Sequence, residues 1–302
     1  MNDMSQRPQE DRWQPGAGLP QEEPQPIGRM LQTLRGLSDK QIDDIVEYQQ
    51  RHGLQFGEAA VALRLASDDD IVELIARQFH YPCDPGSDAS SALPPELVVA
   101  RNPFSDGAEM IRDLRTQLLI GLAGAEGGQL SLAVTSAQAG DGKTFVAANL
   151  AAALSQLGKR TLLIDANMRK PRAGTVFGVA DGSPGLSTIL SGRVVKYAFH
   201  QAAALPNLFV LGAGPIPPNP QELLQGASFE LLLDELRREF EHIVIDTPAG
   251  DSGSDFRMVA ARSAATLVVA RQDRTSYGAL AAVVQALARG AGTLAGVVMN
   301  RY

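Results

Sequence analysis

The sequence holds a single cysteine, Cys83, and four histidines in 302 residues. The first excludes an internal disulfide or a cysteine-based zinc site, and the scattered histidines offer no ligand spacing for a metal. Positive charge is also scarce. Twenty-seven Lys and Arg against 34 Asp and Glu give a formal net charge of −7, which argues against nucleic acid as a partner. No apolar run approaches the about 20 residues that span a bilayer, and the polar first residues lack a signal-peptide core. The expectation is a cytoplasmic chain, peripheral at the inner membrane through a partner. What is present, 44% hydrophobic and 20% charged residues, is globular composition. The length favours two domains, since single cores rarely grow beyond about 250 residues.

Residues 1–26 are rich in Pro, Gln and Glu and nearly free of aliphatic side chains, so they read as a disordered tail with Trp13 as a solvated aromatic. Residues 27–81 contain an internal repeat with a period of 29. Ile27-Gly28, Leu34-Arg35, Ser38-Asp39, Ile42, Ile45 and Gln49 align with Phe56-Gly57, Leu63-Arg64, Ser67-Asp68, Ile71, Leu74 and Gln78. A helix-start signal followed by apolar residues at helical spacing predicts a small helical domain of two similar hairpins. Residues 82–104 read as a Pro/Ser/Asp-rich linker.

From 105 to 302 helix and strand patterns alternate, which predicts an α/β domain: a mostly parallel sheet flanked by helices. Strands are expected at 129–137, 160–166, 207–213, 242–248, 265–271 and 294–300. Their apolar runs suit strands buried on both faces. Asn219 and Pro220, with Glu222 behind them, read as a helix start with Asn as the cap.

The stretch TSAQAGDGKT, residues 135–144, follows a predicted strand and opens a predicted helix, the context of a phosphate-binding P-loop. Gly140 and Gly142 let backbone N–H groups approach phosphate oxygens, and the helix dipole adds favourable charge. The predicted cradle runs through Gln138, Ala139, Gly140, Asp141, Gly142, Lys143, Thr144 and Phe145. Lys143 is expected on the β- and γ-phosphates and Thr144 on Mg²⁺. Ala137 stands where the usual pattern has its first glycine. Two further motifs end strands behind this loop: LLIDANMRKP (162–171) with Asp165, and IVIDTP (243–248) with Asp246. Strand-end carboxylates lie beside the ligand crevice of open α/β sheets.

P-loop, DANMR and IVIDTP together resemble the bacterial tyrosine kinases of polysaccharide export, the BY-kinases. GLSTILSGR (185–193) and AGPIPPNPQELL (213–224) extend the likeness across roughly residues 99–300. A close sub-group is the free-standing chain-length-determinant kinases of exopolysaccharide gene clusters. The resemblance implies Mg-ATP-dependent phosphoryl transfer to protein tyrosines, with Asp165 as base, Thr144, Asp165 and Asp246 around Mg²⁺, and Lys143 and Arg169 as catalytic cations. Asn167 stands where the family has a second aspartate. EMIRDLR (109–115) resembles the family's oligomer helix, which implies subunit contacts by Glu109, Arg112 and Arg115. Asn300 resembles the adenine-side asparagine of related ATPases. Partition and septum-site ATPases carry a lysine where this chain has Gln138, and no guanine-reading N-K-x-D segment is present.

Family members phosphorylate a tyrosine cluster in a flexible tail. Here Tyr302 stands alone as the candidate acceptor, and two extended residues past Asn300 reach roughly 7 Å. Tyr197 and Tyr277 are alternative acceptors that read as partly buried. Three functions follow: a kinase for other proteins, an ATP-driven assembly switch, or a nucleotide-bound scaffold. A separate inner-membrane chain-length-determinant protein is the implied partner. The N-terminal domain resembles that of type II secretion and type IV pilus assembly ATPases, some of which bind cyclic di-GMP. Pro26 and Gln55 occupy the arginine positions of that ligand's motif, so protein docking is the favoured reading.

Overall fold

The structure is a computed structural model that describes residues 26–78, 93–122, 129–193, 199–290 and 292–301. Residues 1–25 of the expected tail 1–26, with Trp13, lie outside them, as do Tyr197 and Tyr302. The chain divides into two compact units between Ser67 and Asp68. The first contains α1 (Ile27–Arg35), α2 (Asp39–His52) and α3 (Phe56–Ala62); α4 (Asp68–Gln78) opens the second.

The repeat is visible in the helix starts: α3 begins 29 residues after α1, and α4 begins 29 after α2. Ser38 caps α2 with a capping box, its hydroxyl accepting from the Gln41 N–H. Gly36 and Gly53 end α1 and α2 in the left-handed conformation, which glycine adopts without a Cβ penalty. Gly28 leaves room where a Cβ would meet Phe56 and Ile42. At the two motif positions without arginine, Pro26 stands before α1, and Gln55 donates its N–H to Glu58 Oε2 at 2.8 Å.

The second unit continues through α5 (Val98–Arg101) and α6 (Asp106–Gly121) to β1 (Leu130–Ser136), α7 (Lys143–Ser155) and β2 (Thr161–Asp165). Two short helices, α8 (Ala173–Val176) and α9 (Leu186–Leu190), lead to β3 (Phe199–Gln201) and β4 (Leu208–Leu211). Then come α10 (Pro220–Gln225), α11 (Ala227–Glu239) and β5 (His242–Asp246). The chain finishes with α12 (Asp255–Ala260), β6 (Ala265–Arg271), α13 (Tyr277–Ala288) and β7 (Leu294–Asn300).

The seven strands lie in the order β3-β4-β2-β5-β1-β6-β7, all neighbours parallel except the β3–β4 pair. The six strands expected from the sequence are all present. β3 has no signal of its own, because one half-buried and two exposed residues show neither a period nor an apolar run.

Alternate residues of β1 divide between two cores. Leu130, Leu132 and Val134 join α5, α6 and α7 on one face, while Ala133 joins α10, α11 and α12 on the other. α7 is therefore central: every residue from Val146 to Ser155 is buried.

Residues 93–104, expected as linker, are instead folded in part onto this core. Leu97, Val99 and Ala100 are fully buried. Asn149 of α7 donates to Glu96 O at 2.7 Å and accepts from the Val99 N–H at 3.1 Å. The helix start expected at Asn219 and Pro220 is present. Asn219 stands at the N-cap of α10 before Pro220, but its side chain makes no capping bond.

Candidate nucleotide and phosphoryl-transfer site

The three functional segments meet because β1, β2 and β5 are neighbours and parallel, so all their carboxyl ends open at one edge. Asp165 and Asp246 are register partners on β2 and β5. Thr144, in the first turn of α7, donates its hydroxyl to Asp246 Oδ2 at 2.7 Å. Lys143 Nζ lies 3.5 Å from the Thr144 hydroxyl. A cleft of about 670 Å³ opens above them, walled by Lys143, Thr144, Asn167, Arg172 and Asn300 among others.

The loop before α7 is held by its own atoms. Gln138 donates its N–H to Asp141 Oδ2 at 2.8 Å, and its carbonyl accepts from the Ser136 hydroxyl at the same distance. Gln138 and Asp141 thus shape the cradle from outside the cleft wall, and Asp141 is fully buried. Gly142 has φ 96°, and a Cβ there would stand 2.0 Å from Asn300 Nδ2. Asn300 itself donates to Asp141 O at 3.0 Å, which ties the end of β7 to the phosphate loop. The loop is braced from its far side as well. Asp251 accepts from the Ala139 N–H at 3.1 Å, and Arg274 donates to Ala139 O at the same distance.

Electrostatics set the two strand-end carboxylates apart from ordinary ones. Burial pushes Asp165 up to about 7, and the neighbouring charge of Asp246 pushes it the same way. Three backbone N–H groups work against that rise: Arg172 (2.9 Å) and Gly174 (3.4 Å) on Oδ2, and Asn167 (3.1 Å) on Oδ1. Burial raises Asp246 too, opposed by Lys143, by the Thr144 hydroxyl and by Arg172. Asp246 Oδ1 is buried without a hydrogen-bond partner. Such an orphan acceptor is costly unless something binds it. A hydroxyl, a fully buried acid with a vacant oxygen and a second acid beside it form a hard-oxygen set that suits Mg²⁺.

The DANMRKP turn is built by its own side chains. Asn167 Nδ2 donates to Lys170 O at 2.7 Å, and its Oδ1 accepts from the Lys170 N–H at 3.3 Å. Asn167 is therefore engaged in holding the turn. Arg169 forms a bidentate pair with Asp255, at 2.7 Å and 3.1 Å. Asp255 begins α12 and its carboxylate is 1% exposed. Sequence reasoning missed Asp255, Asp251 and Arg274. Their partners lie 86 to 135 residues away, and no local pattern marks them.

The segments GLSTILSGR and AGPIPPNPQELL meet one another. Leu186 and Ser187 donate their N–H groups to Gly212 O and Ala213 O, and the Ser187 hydroxyl donates to Pro215 O at 2.6 Å. On α6, Arg112 pairs with Glu109 at 2.8 Å and also donates to Pro103 O. Arg115 donates to Ala153 O at 2.7 Å, near the end of α7. Both arginines thus serve this chain's own fold, and Glu109 is 75% exposed. Tyr277 is not partly buried as expected. It is 86% exposed, at the first position of α13. Among the described residues, no helix is long and apolar enough to cross a membrane.

Known proteins are similar to this chain in sequence and fold. Residues 132–302 match the CobQ/CobB/MinD/ParA nucleotide binding domain. EpsB of Ralstonia solanacearum is 35% identical over 205 residues, which is 68% of this chain and 27% of EpsB. Tyrosine-protein kinase YwqD of Bacillus subtilis is 32% identical over 210 residues, 70% of this chain and 87% of YwqD. The kinase domain of Escherichia coli tyrosine kinase ETK superimposes with a TM-score of 0.64 at 29% identity, covering 68% of this chain and 79% of that one. The chain belongs to the bacterial tyrosine-protein kinase family, on the P-loop fold of the CobQ/CobB/MinD/ParA nucleotide-binding domains.

Proposed function

We propose that the chain is a Mg-ATP-dependent protein-tyrosine kinase of exopolysaccharide assembly and export, acting with a separate inner-membrane chain-length-determinant protein. The observation that carries this is the meeting of Lys143, Thr144, Asp165 and Asp246 at one sheet edge, in a chain of that family. The loop from Ala139 to Thr144 binds the β- and γ-phosphates through backbone N–H groups, and Lys143 stabilises charge developing on the transferred group. Asp246 and Thr144, with Asp165 behind them, would hold Mg²⁺, which would supply neutralisation of the phosphate charge. Asn300 stands on the adenine side.

A tyrosine hydroxyl, with an ordinary pKa of about 10, gains from a positioned base. Asp165 is that base. Its orientation is fixed by three backbone donors and its affinity for a proton is raised by burial. Arg169 acts from behind, holding the DANMRKP turn against α12 through Asp255. The acceptors are tyrosines of other proteins; within this chain, Tyr277 has the exposure an acceptor needs and Tyr302 remains a candidate. Of Glu109, Arg112 and Arg115, Glu109 is the one exposed to a neighbouring subunit in a homo-oligomer.

A second reading, an ATP-hydrolysing assembly switch, is favoured by one feature. Asn167 brings no negative charge and is engaged in its own turn. Incubation with γ-labelled Mg-ATP and a tyrosine-containing copolymer separates the two. Label on tyrosine supports the kinase, and ADP release without it supports the switch.

A further inference from the structure

The cleft wall carries a carboxylate, and an anion there repels a polyphosphate. Glu96 shares the cavity with Lys143, Thr144 and Arg172. Its place is fixed by the P-loop helix. Asn149, fully buried on α7, holds Glu96 O and the Val99 N–H and also donates to Phe145 O at 3.0 Å. The Glu96 carboxylate accepts a charge-assisted hydrogen bond from the Arg172 guanidinium.

Arg172 is fixed at its other end. Its backbone N–H is bound to Asp165 Oδ2 at 2.9 Å, yet its side chain is 56% exposed. Its charge is also felt at Asp246, where it favours the ionised carboxylate. Arg169, three residues earlier in the same segment, is by contrast committed to the buried Asp255. Arg172 is thus a cation with an anchored backbone, beside the Thr144–Asp246 pair, matched to a partly exposed carboxylate rather than to a fully buried one.

We propose that Arg172 recognises the terminal phosphate of a nucleoside triphosphate, with Glu96 as the counter-ion that holds its guanidinium until that phosphate arrives. The inference rests on the reading of the cleft as an ATP site. A guanidinium fork matches phosphate oxygens in bidentate fashion, and the more highly charged phosphate outcompetes a single carboxylate. With a diphosphate the γ-position is vacant, and Arg172 stays with Glu96. The pair therefore separates triphosphate from diphosphate, and Glu96 sets how strongly.

Calorimetric titration of the full chain with Mg²⁺ and either AMP-PNP or ADP tests this. Arg172→Gln is expected to weaken AMP-PNP binding about tenfold or more, the scale of one charge-assisted hydrogen bond, and to leave ADP within about twofold. Arg172→Lys, which keeps the charge without the fork, is expected to fall between. Glu96→Gln is expected to tighten AMP-PNP about threefold without moving ADP, and to add nothing in the Arg172→Gln background. Equal losses for both nucleotides in Arg172→Gln, or an unchanged ratio in Glu96→Gln, would overturn the inference alone. A wild-type chain that binds neither nucleotide would remove the ATP-site reading along with it.

Discussion

Asp246 is the residue on which the site's electrostatics turn. It is fully buried, accepts one hydrogen bond from Thr144 and leaves its other oxygen bare beside Asp165. Both acids have folded-state pKa values above the ordinary 3.8, so the unfolded chain gives up these protons first. The contribution of Asp165 to stability is therefore intact below about pH 4 and lost as pH rises toward about 7, and that of Asp246 falls with rising pH in the same direction. Asp246→Asn removes one charge from that contest. The nucleotide-free variant should melt about 2–4 °C higher than wild type at pH 7.5, with the difference vanishing near pH 4. Mg-dependent ATP turnover should fall more than about 100-fold, because the same carboxylate is needed once phosphate and cation are present. Thermal melts across pH and a coupled ADP assay check both halves.

Among the elements, α7 does the most to join fold and site. Its first turn presents Lys143 and Thr144, and its second carries Asn149, which fastens the segment from Glu96 to Val99. Asn149→Ala strands the buried Val99 N–H and loosens the chain around Glu96. A stability loss of about 2–3 kcal/mol is expected, with faster proteolysis within residues 93–101. Denaturant melts and mapping of the first cleavage check it. The strands of this unit were legible because both faces are buried, so the sequence shows unbroken apolar runs. The segment at 93–104 was not. LPPELVVAR begins with turn-forming prolines, and what folds its VVA onto the core is a hydrogen bond from fifty residues away. β3 escaped for a different reason: its pairing with β4, and not its composition, makes it a strand.

At the scale of the whole molecule, the parallel order β2-β5-β1 turns three separated motifs into one site. The P-loop and the two strand-end acids could be read from residue types because each motif is local. The bracing of that site by Asp255, Asp251 and Arg274 is tertiary, and so was hidden. The same distinction bears on assembly. EMIRDLR looks like a uniform contact helix in sequence, yet Arg115 is bound to Ala153 O of its own chain. If α6 makes subunit contacts, Glu109 is the exposed member of the trio. Glu109→Lys should then shift sedimentation toward the monomer with an unchanged melting temperature, whereas Arg115→Ala should lower the melting temperature itself.

The central claim, that this cleft transfers phosphate from ATP to tyrosine, is tested most directly by phosphopeptide mass mapping of protein purified from its own cells. Wild type and Lys143→Ala would be compared after incubation with Mg-ATP. Phosphotyrosine on the wild-type chain or its co-purified proteins, absent from the variant, is the predicted result. ADP release by wild type with no phosphotyrosine on any of them would contradict the kinase and leave a nucleotide-driven switch.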